Sequence, residues 1–340
     1  MAEVLITNSL IQCFKGCQQK TKYKYVDLLV PKVPRGMKPL KRGSWFHELL
    51  EAKYGGESVT AAHKRNVAQF NRLLPEERED LGDLPNEMVA LYKAYQWHYR
   101  RDDSWKVHEV ELKLEADLPN GYQGQGKMDA LVEDENGDLW AVDHKTHERL
   151  PDWSYRMLDP QSLFYIWLCW QNNIPVRGFI WNYVVPKPPQ PLKFKIKGGL
   201  YAKQSPVLDY PTALASVPEE EKDNPEVIEL LQQLEQVRYD PNEPQTSPVF
   251  RREVIEKDPH TVERMVQDIS ASAARFERFV LALEEDPNIV VERTVGRNCD
   301  WCEYRQLCIA ELMDTNPDYV RRKHFQKGDP MAYYQPTPKG

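Results

Sequence analysis

Apolar residues recur along this chain with two different spacings, and the spacing separates helix from strand. Thr7, Asn8 and Ser9 offer side-chain oxygens for a helix start, which Leu10, Ile11 and Phe14 continue. From Ser44, the residues Trp45, Phe46, Leu49, Leu50 and Tyr54 keep an i, i+4 rhythm around His47 until Gly55-Gly56 ends it. Two more helical segments are expected around residues 59–74 and 85–101. Residues 105–117 alternate as a half-buried strand with Val110, Leu112 and Leu114 on its apolar side; Val107 falls on the other parity. Then come two apolar runs, Ala130-Leu131-Val132 and Leu139-Trp140-Ala141-Val142, separated by a polar break whose Asn136-Gly137 is a hairpin signal. An apolar helix over 161–171, a buried strand from Phe179 to Val185 and a further strand over 249–255 follow. A long amphipathic helix over 260–285 carries Val262, Val266, Ile269, Ala273, Phe276, Val280 and Leu283 on one face.

Between these elements the pattern breaks down. Pro31 to Gly43 reads as a loop rich in Pro, Lys and Arg. Residues 186–248 are so dense in proline that continuous regular structure is not expected, and they read as an insertion around the core. The first part is basic, with Lys187, Lys193, Lys195, Lys197 and Lys203 around Phe194 and Tyr201; the later part is acidic. From residue 316 the chain is polar and reads as a surface tail.

Composition narrows the class without naming a function. At 340 residues, 41% hydrophobic and 29% charged, the chain suits a globular protein with ample core. No apolar run is long enough to span a bilayer, and the start lacks a secretory signal, so a cytoplasmic location without membrane partners is expected. A net charge of −7 gives no global nucleic-acid signature, although local basic patches or bound metal can supply one. The six cysteines, in a reducing compartment, are expected as ligands or core residues, not disulfides.

Two constellations carry chemistry. Cys299-x2-Cys302-x5-Cys308 is a compact thiolate set that needs a fourth ligand. Cys17 is the best candidate, with Cys13 one helical turn earlier as its rival; Cys169, in an apolar helix, reads as core. Soft thiolates select zinc or an iron–sulfur cluster. The second set is Asp129 at the head of the first apolar run, and Asp143 and Lys145 at the end of the second. Asp143 and Lys145 share a strand face while His144 points the other way. Carboxylate oxygens suit magnesium or manganese beside a phosphate, with an ammonium to offset charge. D-x-K alone is common by chance, and its ordinary reading is a surface salt bridge. His47 alone reads as a helix-face histidine, Gln161 and Tyr165 share one helix face, and Glu111 reads first as a structural ion-pair partner.

Together these elements resemble the PD-(D/E)XK nuclease superfamily, in its RecB-like branch, which includes CRISPR-associated exonucleases and carries an iron–sulfur cluster. Gly43-Ser44-Trp45-Phe46-His47 resembles the family's G-x-x-x-H helix, and Gly126-Lys127-Met128-Asp129 its G-x-x-D strand. Val142-Asp143-His144-Lys145-Thr146 resembles V-D-x-K-T, and Gln161-x-x-x-Tyr165 the flanking Q-x-x-x-Y helix. Cys17 with Cys299, Cys302 and Cys308 resembles the split cluster motif. Two features depart from the pattern: Asp143 stands where many members have Glu, and Gln18 replaces the usual Pro after the first cluster cysteine.

The resemblance implies an α/β (mixed α+β) fold, a restriction-endonuclease-like central mixed sheet flanked by helices, with a C-terminal iron–sulfur region. It implies one nuclease domain over residues 1–315, containing the 186–248 insertion and the 299–308 cluster region, before a 316–340 tail. It implies metal (Mg2+ or Mn2+) held by His47, Asp129, Asp143 and the backbone carbonyl of His144, with Lys145 as catalytic lysine and Gln161 and Tyr165 orienting the site. It implies a [4Fe–4S] cluster, zinc being the alternative, that staples the chain ends. The expected function is a metal-dependent deoxyribonuclease, an exonuclease on single strands or duplex ends in replication, recombination or repair. A helicase or recombination partner would supply unwinding, in a host cytoplasm if the chain is phage-encoded. The rivals are a non-catalytic DNA-binding or assembly module, a zinc protein with an unrelated hydrolase site, and a structure-specific endonuclease.

Overall fold

The computed structural model describes residues 5–32, 37–100, 105–148, 156–240 and 247–331. The strands are β1 (Leu29–Pro31), β2 (Lys106–Asp117), β3 (Gln123–Glu133), β4 (Leu139–Thr146), β5 (Val176–Val184), β6 (Phe250–Glu256) and β7 (Phe325–Lys327). The helices are α1 (Asn8–Gly16), α2 (Gln18–Thr21), α3 (Met37–Tyr54), α4 (Val59–Asn71), α5 (Pro75–Leu81) and α6 (Leu84–His98). They continue with α7 (Pro160–Gln171), α8 (Tyr210–Ala215), α9 (Pro225–Gln236), α10 (Pro259–Glu285), α11 (Arg305–Leu312) and α12 (Pro317–His324).

Strands β2 to β6 form one sheet in chain order. All neighbours are antiparallel except β4 and β5, which are parallel and therefore need a crossover; α7 supplies it. The β3–β4 hairpin turns at Gly137, whose φ of +83° requires glycine, while the Asp134 carboxylate accepts from the N–H of Asn136 and Asp138. Helices α1, α7 and α10 cover one face of the sheet around Ala141, Phe179 and Trp181. Helix α3 lies against the other face and packs on α4 and α6. Sandwiched between helices, β4 and β5 read as near-continuous apolar runs instead of alternating ones. No helix among the described residues is long and apolar enough to cross a membrane.

The parity conflict at Val107 has a structural answer. The β2–β3 register slips at His108, so that Val107 pairs with Val132 and Glu109 with Leu131. Val107 and Val110 thereby both pack with Ala130, Val132, Trp140, Val142 and Ile180. The register is kept past Glu111, but Glu111 is not itself paired: it lies between the pairs Val110↔Ala130 and Leu112↔Met128 and has φ +54°. Past it, Leu112, Leu114 and Met128 join the core on the opposite face. Asp129 is the residue across from Glu111.

Several boundaries differ from expectation. Helix α3 begins at Met37, not at Ser44, because Pro39 falls in its first turn, where a missing N–H costs nothing. The expected 59–74 segment ends at Asn71, and Pro75 starts α5 separately. The described part of the proline-dense stretch holds two α-helices, each with proline in its first turn (Pro211 second in α8, Pro225 first in α9) and an Asp or Asn cap, so proline there starts helices as well as stopping them. The chain from 316 is not simply a tail. Helix α12 and β7 fold back, and β7 pairs antiparallel with β1; residues 332–340 lie outside the described residues. Tyr23, Leu29, Tyr304, Leu307 and Phe325 form a small core there, and Tyr304 donates to the carbonyl of Leu29 at 2.7 Å. The two chain ends are therefore joined by backbone pairing and apolar packing, besides whatever the cysteines bind.

Candidate active site

The site builds from β4 outward. Asp143 and Lys145 project from the same face of β4, the face covered by α7, as strand alternation requires. Lys145 Nζ lies 2.7 Å from Asp143 Oδ2 and 5.5 Å from the Trp181 ring centroid. Gln161, in the first turn of α7, donates from its side-chain amide to Asp143 Oδ1 at 2.7 Å. Burial alone would lower the Lys145 pKa, but the Asp143 carboxylate, and behind it Asp129 and Asp159, raise it overall. Lys145 therefore holds its proton at neutral pH.

Asp129 comes from β3, opposite the unpaired Glu111 of β2. Its Oδ2 accepts from the backbone N–H of His144 at 2.6 Å and lies 3.5 Å from His47 Nδ1 on α3. Burial first, and the Asp143 charge second, push the Asp129 carboxyl well above the usual carboxylate range. Burial lowers the pKa of His47, with partial compensation from the charges of Asp143 and Glu111. Neutral imidazole is the form that binds metal. Glu111 pairs with Lys127, the ordinary reading of that residue, yet it does so from left-handed backbone directly beside Asp129. Such backbone is costly for a glutamate and concentrates at functional sites.

His144 turns its ring to the opposite side of the sheet. There its Nδ1 meets the Asn182 amide at 2.8 Å, its ring stacks on Tyr54, and Asn182 also donates to the Tyr95 hydroxyl. Burial, and then the nearby His47, hold the His144 pKa well below normal, so the ring is neutral. Only the His144 backbone faces the carboxylates.

The glycines of the two motifs have steric roles. A Cβ at Gly43 would come within 2.9 Å of Thr146 Oγ1, so α3 crosses close to the end of β4 and any larger residue there would displace that side chain. Gly126 faces Tyr165 and Leu168 of α7. Tyr165 is 5% exposed and packs against Gly126 and Phe179.

Among the described residues, no three His, Cys, Asp or Glu side chains converge tightly enough to enclose a single metal ion. Magnesium needs less: it keeps several waters and is bound through one or two carboxylates plus a substrate phosphate. The observed groups fit that demand. Asp143 Oδ2 is buried without a well-directed hydrogen bond, although it is ion-paired with Lys145. The Asp143 charge adds to the cost of ionising Asp129, which a divalent cation would relieve.

The cysteines also assemble. Cys17 stands in extended backbone between α1 and α2, Cys299 and Cys302 in a tight turn, and Cys308 on α11. All four line one cavity of about 250 Å³ together with Tyr23, Arg293 and Tyr304. Burial raises the Cys302 thiol pKa. Cys13 borders an adjoining cavity with Cys17, Cys299 and Cys302, but not the one that includes Cys308, and its sulfur accepts from the Thr21 hydroxyl at 3.5 Å. Thiolates around one space are soft ligands of the kind that hold zinc or an iron–sulfur cluster. Cys169 is fully buried against Met128, as expected of a core residue.

Some contributing residues carry no motif. Arg156, Asn182, Arg252 and Lys257 reach the site's surroundings from separate elements, and nothing in their local sequence marks them. Asp159-Pro160 before an apolar run is a legible cap signal.

No curated protein matches the chain significantly. Among solved structures, the chain is similar to a candidate exonuclease from Eubacterium rectale, at 12% identity and TM-score 0.43, with 88% of each chain covered. It is similar to SSO0001 at 13% identity and TM-score 0.33, covering 91% of this chain and 88% of that one. Both likenesses are too distant to bear on function. The family profile of the PD-(D/E)XK nuclease superfamily matches residues 6–309, which contain every motif described above. The chain belongs to the PD-(D/E)XK nuclease superfamily.

Proposed function

We propose that this nuclease hydrolyses DNA with Mg2+ or Mn2+, as an exonuclease acting on single strands or duplex ends, in the RecB-like manner. The observation that carries the reading is the meeting of Asp129, Asp143, Lys145 and Gln161 at the interruption of the β2–β3 ladder. Asp129, Asp143, His47 and the His144 backbone carbonyl would hold the metal. When bound, the metal supplies a Lewis acid that acidifies water and neutralises phosphate charge. The remaining work belongs to the chain. Gln161 holds Asp143 through one oxygen and leaves the other free of a directed hydrogen bond. The His144 N–H fixes Asp129. Lys145, kept protonated by its carboxylate neighbours, places an ammonium where charge grows on the phosphate during in-line attack by water.

Cys17, Cys299, Cys302 and Cys308 would carry a [4Fe–4S] cluster with an architectural role, consistent with free thiols in a reducing cytoplasm. The 187–203 segment would guide the DNA backbone: Phe194 pairs with Leu200 across a turn whose tip exposes Ile196, and Tyr201 is half exposed for base stacking.

The test uses anaerobically purified protein, end-labelled linear single-stranded and duplex DNA, and closed circular single strands, with Mg2+ or Mn2+. Linear substrates should shorten from their ends, circles should survive, and Asp143→Asn should abolish cleavage. Cut circles would make the protein an endonuclease, and cleavage that survives in Asp143→Asn would remove the site from the reaction.

A further inference from the structure

The entry to α7 is held by two buried cations that the chemistry above leaves unused. Lys257 follows β6 and is 8% exposed. Its ammonium donates to the backbone carbonyls of Met157 at 2.7 Å and Arg156 at 3.1 Å. Arg156 is 7% exposed, and its guanidinium carbon lies 4.9 Å from the ring centroids of both Trp181 and Tyr183. The same guanidinium pairs with Asp159 Oδ2 at 3.2 Å. Asp159 is the cap of α7: its other oxygen accepts from the N–H of Gln161 at 2.9 Å and Ser162 at 3.3 Å.

Burying a cation is expensive, and burial pushes Lys257 down to about 8 against the opposing charges of Asp159 and Asp258. Starting a helix does not require that cost. An Asp cap and a first-turn proline suffice, and α7 has both. What the two cations add is position. Lys257 ties the loop before α7 to the end of β6, and Arg156 ties the cap to the aromatic floor of β5. Two residues past the cap, Gln161 reaches Asp143 at 2.7 Å, a bond that a small displacement of the helix start would lose.

We propose that Lys257 and Arg156 form a latch that fixes the first turn of α7 against the sheet, so that Gln161 holds Asp143 in place; Lys257 is then a positioning residue of the candidate active site. The link to catalysis rests on the nuclease reading above, while the latch itself does not.

The experiment has two arms. Lys257→Met keeps the apolar stem and removes the donors; Lys257→Gln keeps one donor and serves if the methionine variant does not fold. In the first arm, amide hydrogen exchange should quicken about tenfold at Gln161 and Ser162, with little change at the far end of α7. In the second arm, single-turnover cleavage should fall about tenfold in Lys257→Met, yet fall no further when that change is added to Gln161→Leu. Unchanged exchange at Gln161 and Ser162 overturns the latch. An equal loss of cleavage in both backgrounds makes Lys257 merely structural and overturns the positioning role. If the unaltered protein cleaves nothing, the nuclease reading fails, and the exchange arm still decides the latch.

Discussion

Gly126 presents its bare α-carbon to the ring of Tyr165: a methyl group there would stand 2.8 Å from the ring edge and 2.6 Å from Leu168 Cδ1. The glycine of one motif thus makes room for the tyrosine of another, and α7 can lie close enough for Gln161 to touch β4. Gly126→Ala should destabilise the fold by about 1–3 kcal/mol through overpacking. It should also lower cleavage more than Met128→Leu, a nearby volume-conserving change, which chemical denaturation and cleavage assays on both variants would check.

Asp129 is costly to ionise because it is buried and faces Asp143. Asp129→Asn keeps an acceptor for the His144 N–H but carries no charge. In chelator, the variant should melt about 1–3 °C above the unaltered protein. Added Mn2+ should raise the melting temperature of the unaltered protein and leave that of the variant unmoved. Thermal scans with and without Mn2+ decide the matter, and a cation-induced rise retained in Asp129→Asn would exclude it as a ligand.

Lys257 offers a pH test whose sign is fixed by linkage. Its folded pKa lies near 8, below the ordinary value of 10.5. Between those values the unfolded chain binds more protons than the folded one, so this group's contribution to stability rises with pH. Below pH 8 both states carry the charge, and the full burial cost applies. Relative to Lys257→Met, the unaltered protein should therefore gain stability as pH rises from about 8 to about 10.5. Denaturant midpoints of both proteins across that range would show it, and groups common to both cancel in the difference.

The thiol cavity makes a compositional prediction. Anaerobically purified protein should be brown and hold about four irons per chain, with Cys308→Ser losing most of them and Cys13→Ser keeping them. Since β1–β7 pairing and the Tyr304–Leu29 hydrogen bond also join the chain ends, Cys308→Ser should lower the melting temperature without unfolding the sheet. A colourless protein with one zinc per chain would replace the cluster with a zinc site.

Local patterning carried much of this protein. The i, i+4 rhythm around His47, the Asn136-Gly137 turn, the apolar run after Asp159-Pro160 and the long stripe of α10 are short-range signals, because helix and hairpin geometry repeat over a few residues. The alternation of Asp143, His144 and Lys145 likewise determined which side chains share a face. The tertiary structure decided the rest. Val107 had the wrong parity until pairing with β3 introduced a bulge, and Glu111 acquired left-handed backbone only by crossing Asp129. The polar chain after residue 316 found order only because β1, nearly three hundred residues earlier, offered it an unpaired edge. Arg156 and Lys257 carry no signature at all, since their roles consist of reaching a helix cap from elsewhere in the chain. A sequence records what a residue can bond; which bonds form across distant segments depends on the packing that brings those segments together.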